Sequence, residues 1–231
     1  MPPNRSLKPW LAVLISAGAA AQAPVFQPGP GIVAPFVVSK PKPAYSDEAR
    51  LAKLEGSVLL ALVVASDGTT RDIHVARPLG LGLDERAIEN IRSWQFRPGA
   101  KDGVPVDVAV NEEIFFRPRR TLWDWHAVRA VFEPPPGAER PRLMKTKFPP
   151  TVDAVENVSV TVAFDVGVNG GPVNARVVKS SDQKWNSEVV RSVREGWRFR
   201  PAMLENRPVI APARFEFVRG SHSPIPAPAA R

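Results

Sequence analysis

Cysteine is absent from the 231 residues. That excludes disulfides, cysteine-ligated zinc, a thiol nucleophile and a lipidated N-terminal cysteine, and it leaves the redox compartment open. Histidine is nearly as scarce, at three. His74 sits between Ile73 and Val75 in an alternating stretch, so it faces away from a core. His126 falls in a linker and His222 in a tail. No HExxH, no Ser-His-Asp spacing and no glycine-rich phosphate loop is present. Gly80 and Gly82 make the turn into a helix. Glu112 and Glu113 are adjacent in a strand and point to opposite faces, so they do not form an acid–base pair. Asp84 and Glu85 begin a helix, where carboxylates suit the dipole. The expectation is a protein that is not an enzyme and uses no metal and no cofactor.

Long apolar runs are also missing, with one exception. Trp10 to Ala21 is an apolar run of twelve behind Arg5 and Lys8. It is short of the roughly 20 residues of a membrane-spanning helix, and Ala19-Ala20-Ala21 supplies small residues for cleavage. Residues 1–21 therefore read as a signal peptide. The protein is expected in the periplasm, with an uncleaved inner-membrane anchor facing the periplasm as the alternative.

What the sequence does have is proline, 26 of them, about double the usual share. Residues 22–42 read as a Pro-rich extended linker and 221–231 as a disordered tail. Charge is uneven. Residues 22–118 carry 11 Lys and Arg against 12 Asp and Glu; residues 119–231 carry 18 against 11, a net +7. A basic second half serves solubility or meets an anionic partner, an envelope polymer or an acidic protein rather than nucleic acid in an exported protein.

The chain also repeats itself. Trp94-Gln95-Phe96-Arg97-Pro98 returns as Trp197-Arg198-Phe199-Arg200-Pro201, 103 positions later. Two units align on this word. Val58, Leu60, Leu62 and Val64 alternate in the first; Val160, Val162, Phe164 and Val166 alternate in the second. Gly68 at one hairpin turn is matched with Gly171 at the other, and Pro105-Val106 with Pro208-Val209. Each unit predicts a short helix (Asp47 to Leu54 with Ser46 as N-cap in the first), a hairpin, a second helix from near Asp84 or Asn186, and a long closing strand. Ala87, Ile88 and Ile91 line one helix face; Val189, Val190 and Val193 line the other. Trp and Phe two residues apart do not share a helical face. They fit a helix that ends at Trp and a chain that turns extended, held by Pro98 or Pro201. Both rings then cover the sheet, so Trp94, Phe96, Pro98, Trp197, Phe199 and Pro201 read as architecture.

The fold class is thus α+β: two tandem small domains at 43–118 and 147–220, each a three-stranded antiparallel sheet with helices on one face. The connection, 119–146, is expected to carry a short helix over Thr121 to Phe132, capped by Thr121 and Asp124. The strand Val106, Asp107, Val108, Ala109, Val110, Asn111 is the candidate peptide-binding edge, because an unpaired strand recruits an extended segment by backbone bonds. Its copy carries Pro212, which argues for an edge that pairs less well.

Pro43, Tyr45, Glu55, Gly56, Val58, Asp67, Gly68, Leu83, Asp84, Ala87, Trp94, Phe96, Pro98, Gly103, Pro105 and Val106 together resemble the C-terminal domain of TonB. The second unit is similar to a degenerate copy: Val158 stands in place of Gly56, and the Leu-Asp pair is absent. The resemblance implies a periplasmic, non-catalytic module that grips an extended segment, such as the N-terminal box of an outer-membrane transporter, and a link to energised transport. A cleaved N-terminus implies no motor coupling through this chain's own anchor. A rival reading is a structural tandem in which sheet edges pair with each other, within one chain as a pseudo-dimer or between chains as a homo-dimer, while the basic half docks an anionic component.

Overall fold

The computed structural model describes residues 24–117, 125–150 and 157–220. The signal peptide, Thr121, Asp124 and the tail lie outside the described residues. Sixteen strands and three α-helices follow in chain order. The first half holds β1 (Val25–Phe26), β2 (Ile32–Val33), β3 (Phe36–Ser39), α1 (Asp47–Leu51), β4 (Gly56–Val64), β5 (Thr70–Arg77), α2 (Leu83–Arg92), β6 (Gln95–Arg97), β7 (Gly99–Lys101) and β8 (Val104–Phe116). The second holds β9 (His126–Phe132), β10 (Arg142–Lys145), β11 (Val158–Val166), β12 (Pro172–Ser180), α3 (Asn186–Gly196), β13 (Arg198–Arg200), β14 (Ala202–Leu204), β15 (Arg207–Val209) and β16 (Ala211–Arg219).

Alternation builds both sheets. In β4, Val58, Leu60, Leu62 and Val64 point inward and are at most 3% exposed; in β11, Val158, Val160, Val162, Phe164 and Val166 do the same. A period of two puts one face of each strand in the core. β4 pairs antiparallel with β5 and β8, and β11 with β12 and β16. Ser46 caps α1, its Oγ accepting from the Ala49 N–H. α2 buries Ala87 and Ile91, and α3 buries Val189 and Val193.

The repeated word follows each second helix. Trp94, Phe96, Trp197 and Phe199 are all at least 93% buried. Trp94 stacks on Phe96 and donates from Nε1 to Asn90 at 2.9 Å. Trp197 donates to the Lys147 carbonyl and meets Phe215 edge-on, centroids 5.0 Å apart. Beyond the rings, the word's backbone crosses the hairpin turn of its own unit. A Cβ on Gly68 would lie 2.3 Å from the Phe96 carbonyl oxygen, and one on Gly170 would lie 2.0 Å from that of Phe199; both glycines have positive φ. Gly170, not Gly171, is therefore the counterpart of Gly68.

The unit is longer than its repeated word suggests. Residues 22–42 are not a plain extended linker. β3 pairs with β6, Val37 opposite Phe96, and β2 pairs with β7. In the second half β10 pairs with β13, Leu143 opposite Phe199, and Glu139 bridges Met203 of β14. Each unit thus has an N-terminal arm clamped to the Trp-Phe word.

The expected helix over Thr121 to Phe132 is not present where it is described. His126–Phe132 is strand β9, antiparallel to β16 over six registered pairs. Sheet two therefore has four strands, in the order β12-β11-β16-β9. In sheet one, β1 joins β8 in parallel, and β2 and β7 extend the far end. The three-stranded description holds only for the β5-β4-β8 and β12-β11-β16 cores. β16 is interior, so Pro212 does not mark an edge. The Pro212 carbonyl accepts from Glu133 N, which shows that its backbone polar groups face the β9 side. Phe132 is the last residue of β9 and sits opposite Ala213. The missing N–H therefore costs only the return bond to Glu133, in the last pair beyond the end of β9.

β9 also joins the halves. Ala127 N donates to Ala52 O, Glu55 N to Ala127 O, and Ala130 N to Leu79 O. Glu48 on α1 is 6% exposed and accepts from Arg140 at 2.9 and 3.2 Å, from Arg142 Nε and from Leu143 N. One core cluster runs through both units.

Candidate functional site

The candidate edge is β8. Its inward residues Val108, Val110, Glu112, Ile114 and Phe116 face Val64, Leu62, Leu60, Val58 and Gly56 of β4. Its other edge is occupied only at one end. Val106 pairs with Gly99, and Asp107 and Val108 pair with Val25 and Phe26. From Ala109 to Phe116 no strand pairs with the outer edge among the described residues. Of the six residues read from the sequence, Val106, Asp107 and Val108 already have backbone partners on this side, while Ala109, Val110 and Asn111 open a free stretch that continues to Phe116.

The solvent face beside this edge is neutralised. Asp107 accepts from Arg71 at 2.8 Å and from the Ser66 N–H at 2.8 Å. The Arg71 guanidinium, with that backbone bond, holds the Asp107 carboxyl below its ordinary value. Glu113 accepts from Ser57 and pairs with Arg77. Between this face and the arm lies an open groove of about 920 Å³, lined by Gln27, Pro28, Ala61, His74, Ala109 and Asn111 among others. No cluster of three or more potential metal ligands occurs among the described residues.

Glu112 differs from its neighbours. It points inward from an otherwise apolar row, and burial pushes its carboxyl up, partly offset by Lys40. Lys40 itself lies over the Trp94 ring at 4.4 Å. In unit two the ladder pair Leu60–Glu112 becomes Val162–Phe215. Phe215 is fully buried against Phe132, Phe164, Trp197 and Phe217.

Unit two presents a different surface. Arg176 and Lys179 of β12, Arg214 of β16 and Arg129 of β9 stand on its solvent face, with Asp165 and Glu216. All four cations are exposed. Among the described residues none of the four forms an ion pair, whereas Arg71 and Arg77 of sheet one both do.

The sequence reading missed β9 and the arms. No repeat marked the arms: Phe36-Val37-Val38-Ser39 and Arg142-Leu143-Met144-Lys145 share no residue.

The family model for the Gram-negative bacterial TonB protein C-terminal matches residues 41–118 and 154–218. Together these cover more than half of the chain. The chain belongs to the TonB C-terminal family. No curated protein matches it. The two matched segments are the two units, so the TonB-type domain occurs here in tandem. A TonB-family protein is linked to envelope transport and works in the envelope, and its C-terminal domain is a non-catalytic interaction module. No helix among the described residues is long and apolar enough to cross a membrane. The matched segments begin at residues 41 and 154, so they leave out the arm strands that clamp each copy.

Proposed function

We propose that unit one is a periplasmic peptide-binding module, exported through a cleaved signal peptide, that takes an extended segment of an envelope partner along the outer edge of β8. The N-terminal segment of an outer-membrane transporter is the partner class that the family supplies. The observation carrying this reading is β9. It lies on β16 over Ala213 to Val218. A shift of 103 residues maps that stretch onto Val110 to Phe115, the part of β8 without an outer partner among the described residues. The fold thus accepts a strand at this position in one unit and leaves the position open in the other. Backbone bonds would supply affinity, and inward side chains would supply selectivity.

Asn111→Pro is the test. By the register of unit two, Asn111 directs its N–H outward, as Arg214 does toward β9, so proline removes a donor without breaking the β4 ladder. Synthetic N-terminal segments of TonB-dependent transporters, titrated by fluorescence anisotropy, should bind the wild type and lose at least tenfold in affinity for the variant. Equal affinity for a folded N111P protein rejects the site.

A second reading concerns unit two. Its edge is closed in cis, and its solvent face carries four cations that pair with no carboxylate among the described residues. Docking to an anionic envelope component fits that face. Binding to anionic vesicles or glycans that does not weaken between 50 and 500 mM salt would reject it.

A further inference from the structure

We propose that the solvent face of sheet two seats on the surface of an anionic phospholipid bilayer, with Arg129, Arg176, Lys179 and Arg214 on lipid phosphates and Val173 and Val178 in the headgroup layer. This rests on the second reading above and adds to it the source of the negative charge and the residues that meet it.

The ladder fixes where these side chains stand. One row across the sheet runs Arg176, Ala163, Arg214, Val131, and the next runs Lys179, Thr161, Glu216, Arg129. A third runs Val173, Asp165, Pro212. Neighbouring strands lie about 4.8 Å apart, which spaces Arg176 from Arg214 by about 10 Å and Lys179 from Arg129 by about 14 Å. Side chains on one face stand roughly perpendicular to the sheet, so the four cationic heads reach one common surface. Four cations against two carboxylates leave the face at +2. The carboxylates are taken up by neutral donors: Asp165 accepts from Asn174 Nδ2 at 2.8 Å, and Glu216 from Ser159 Oγ at 3.4 Å.

Apolar side chains stand among the charges. Val173 is 41% exposed, and Val178, set out at the bulge between Val177 and Lys179, is 53% exposed. This mixture decides between the two forms of anionic partner. A linear polyanion lies along one row, meets two cations at a time and offers the valines no apolar layer. A lipid surface is two-dimensional: its phosphates meet all four cations together, and the interface takes up the valines. Sheet one lacks these features. Across Ala61, the counterpart of Ala163, it has His74 and Asn111 instead of two arginines. Its Arg71 and Arg77 are held by Asp107 and Glu113. Gln27, Pro28, Ala34 and Pro35 of its arm wall the groove over the same row. In unit two β9 joins the edge of the sheet, and the four cations stay exposed.

The experiment sediments the exported protein with vesicles of phosphatidylglycerol and phosphatidylethanolamine and with vesicles of phosphatidylcholine alone, and titrates it with soluble polygalacturonate. The wild type should favour the anionic vesicles over the neutral ones by about tenfold or more. Arg176→Glu combined with Arg214→Glu should lower that partition by about tenfold or more. Val173→Ser combined with Val178→Ser should lower it about threefold and leave any binding to polygalacturonate unchanged. Tighter binding to polygalacturonate than to the vesicles, or vesicle binding that the serine pair does not weaken, overturns the lipid inference and leaves the anionic reading of the face intact. Binding to neither partner, or binding that the two reversals do not weaken, overturns both. Thermal midpoints matching the wild type separate lost contact from misfolding, and Arg176→Gln with Arg214→Gln takes the place of the reversals where those do not fold.

Discussion

Gly80 holds a junction that no other residue type fits. Its φ is +96°, and a Cβ there would lie 2.0 Å from the Ala130 carbonyl of β9. Gly80→Ala adds left-handed strain to a backbone clash at the contact between the two units. The expected loss is about 2 kcal/mol or more, measured as a lower urea midpoint. Asp107 offers a test by pH. Its folded carboxyl is held below the ordinary value, first by the Arg71 hydrogen bond and then by the Ser66 N–H. A depressed acid contributes stability that is fully present above its unfolded value and is lost as pH falls through its folded value. Asp107→Asn should therefore destabilise the protein at pH 6, and the gap from wild type should narrow as pH drops below about 4, the ordinary carboxylate range. Urea unfolding at pH 6 and pH 3 measures it; a gap that does not narrow contradicts the assignment.

Elements divide by whether their signal is local. α2 was legible because Ala87, Ile88 and Ile91 share one face within a single helix. β4 and β11 were legible because every second residue is apolar over nine positions. The strands of the arms are two to four residues long, too short to show a period, and they are strands only because they pair with β8, with the residues around Phe96 and with those around Phe199. β9 misled for another reason. Thr121 and Asp124 are good caps, and the Trp-Val-Val-Phe content that follows suits a helix face as well as a strand. Tertiary pairing decided it, since β16 offers an unfilled ladder. The open edge of β8 starts later than the sequence suggests, because the short β7 takes Val106 and β1, far away in sequence, takes Asp107 and Val108. At this scale β9 predicts its own importance. Phe132 meets Phe199 and Phe215 at 6.0 and 5.6 Å between centroids. Phe132→Ala should cost about 2–3 kcal/mol, below the full core value because the ring is only partly buried. It should also speed amide exchange along β16, which loses its outer partner.

At the scale of the molecule, two copies of one fold have opposite edges. In unit two the arm lies on its own sheet, and β9 then bonds across to unit one through Ala127 and Ala130. That second set of bonds, with the Glu48 carboxylate accepting from Arg140, Arg142 and Leu143 N, makes the closed copy the support of the open one. Glu48→Gln should loosen the docking by about 1–2 kcal/mol, since Arg140 and Arg142 remain partly solvated. Calorimetry should then begin to resolve two unfolding transitions, where the wild type is expected to show one. The contrast between edges is open to direct reading by native-state hydrogen exchange. Arg214 and Glu216 of β16 turn their N–H groups toward β9, while their counterparts Asn111 and Glu113 of β8 turn theirs outward, where no strand pairs among the described residues. Amides bonded inside a ladder exchange through opening of the element; outer-edge amides exchange from the native state. Asn111 and Glu113 should therefore exchange at least a hundredfold faster than Arg214 and Glu216, and a bound segment should slow the first pair without changing the second. Equal protection of all four in the isolated protein would mean that β8 is already covered, by another copy or by the chain itself, and would move the molecule from an open receptor to a closed scaffold.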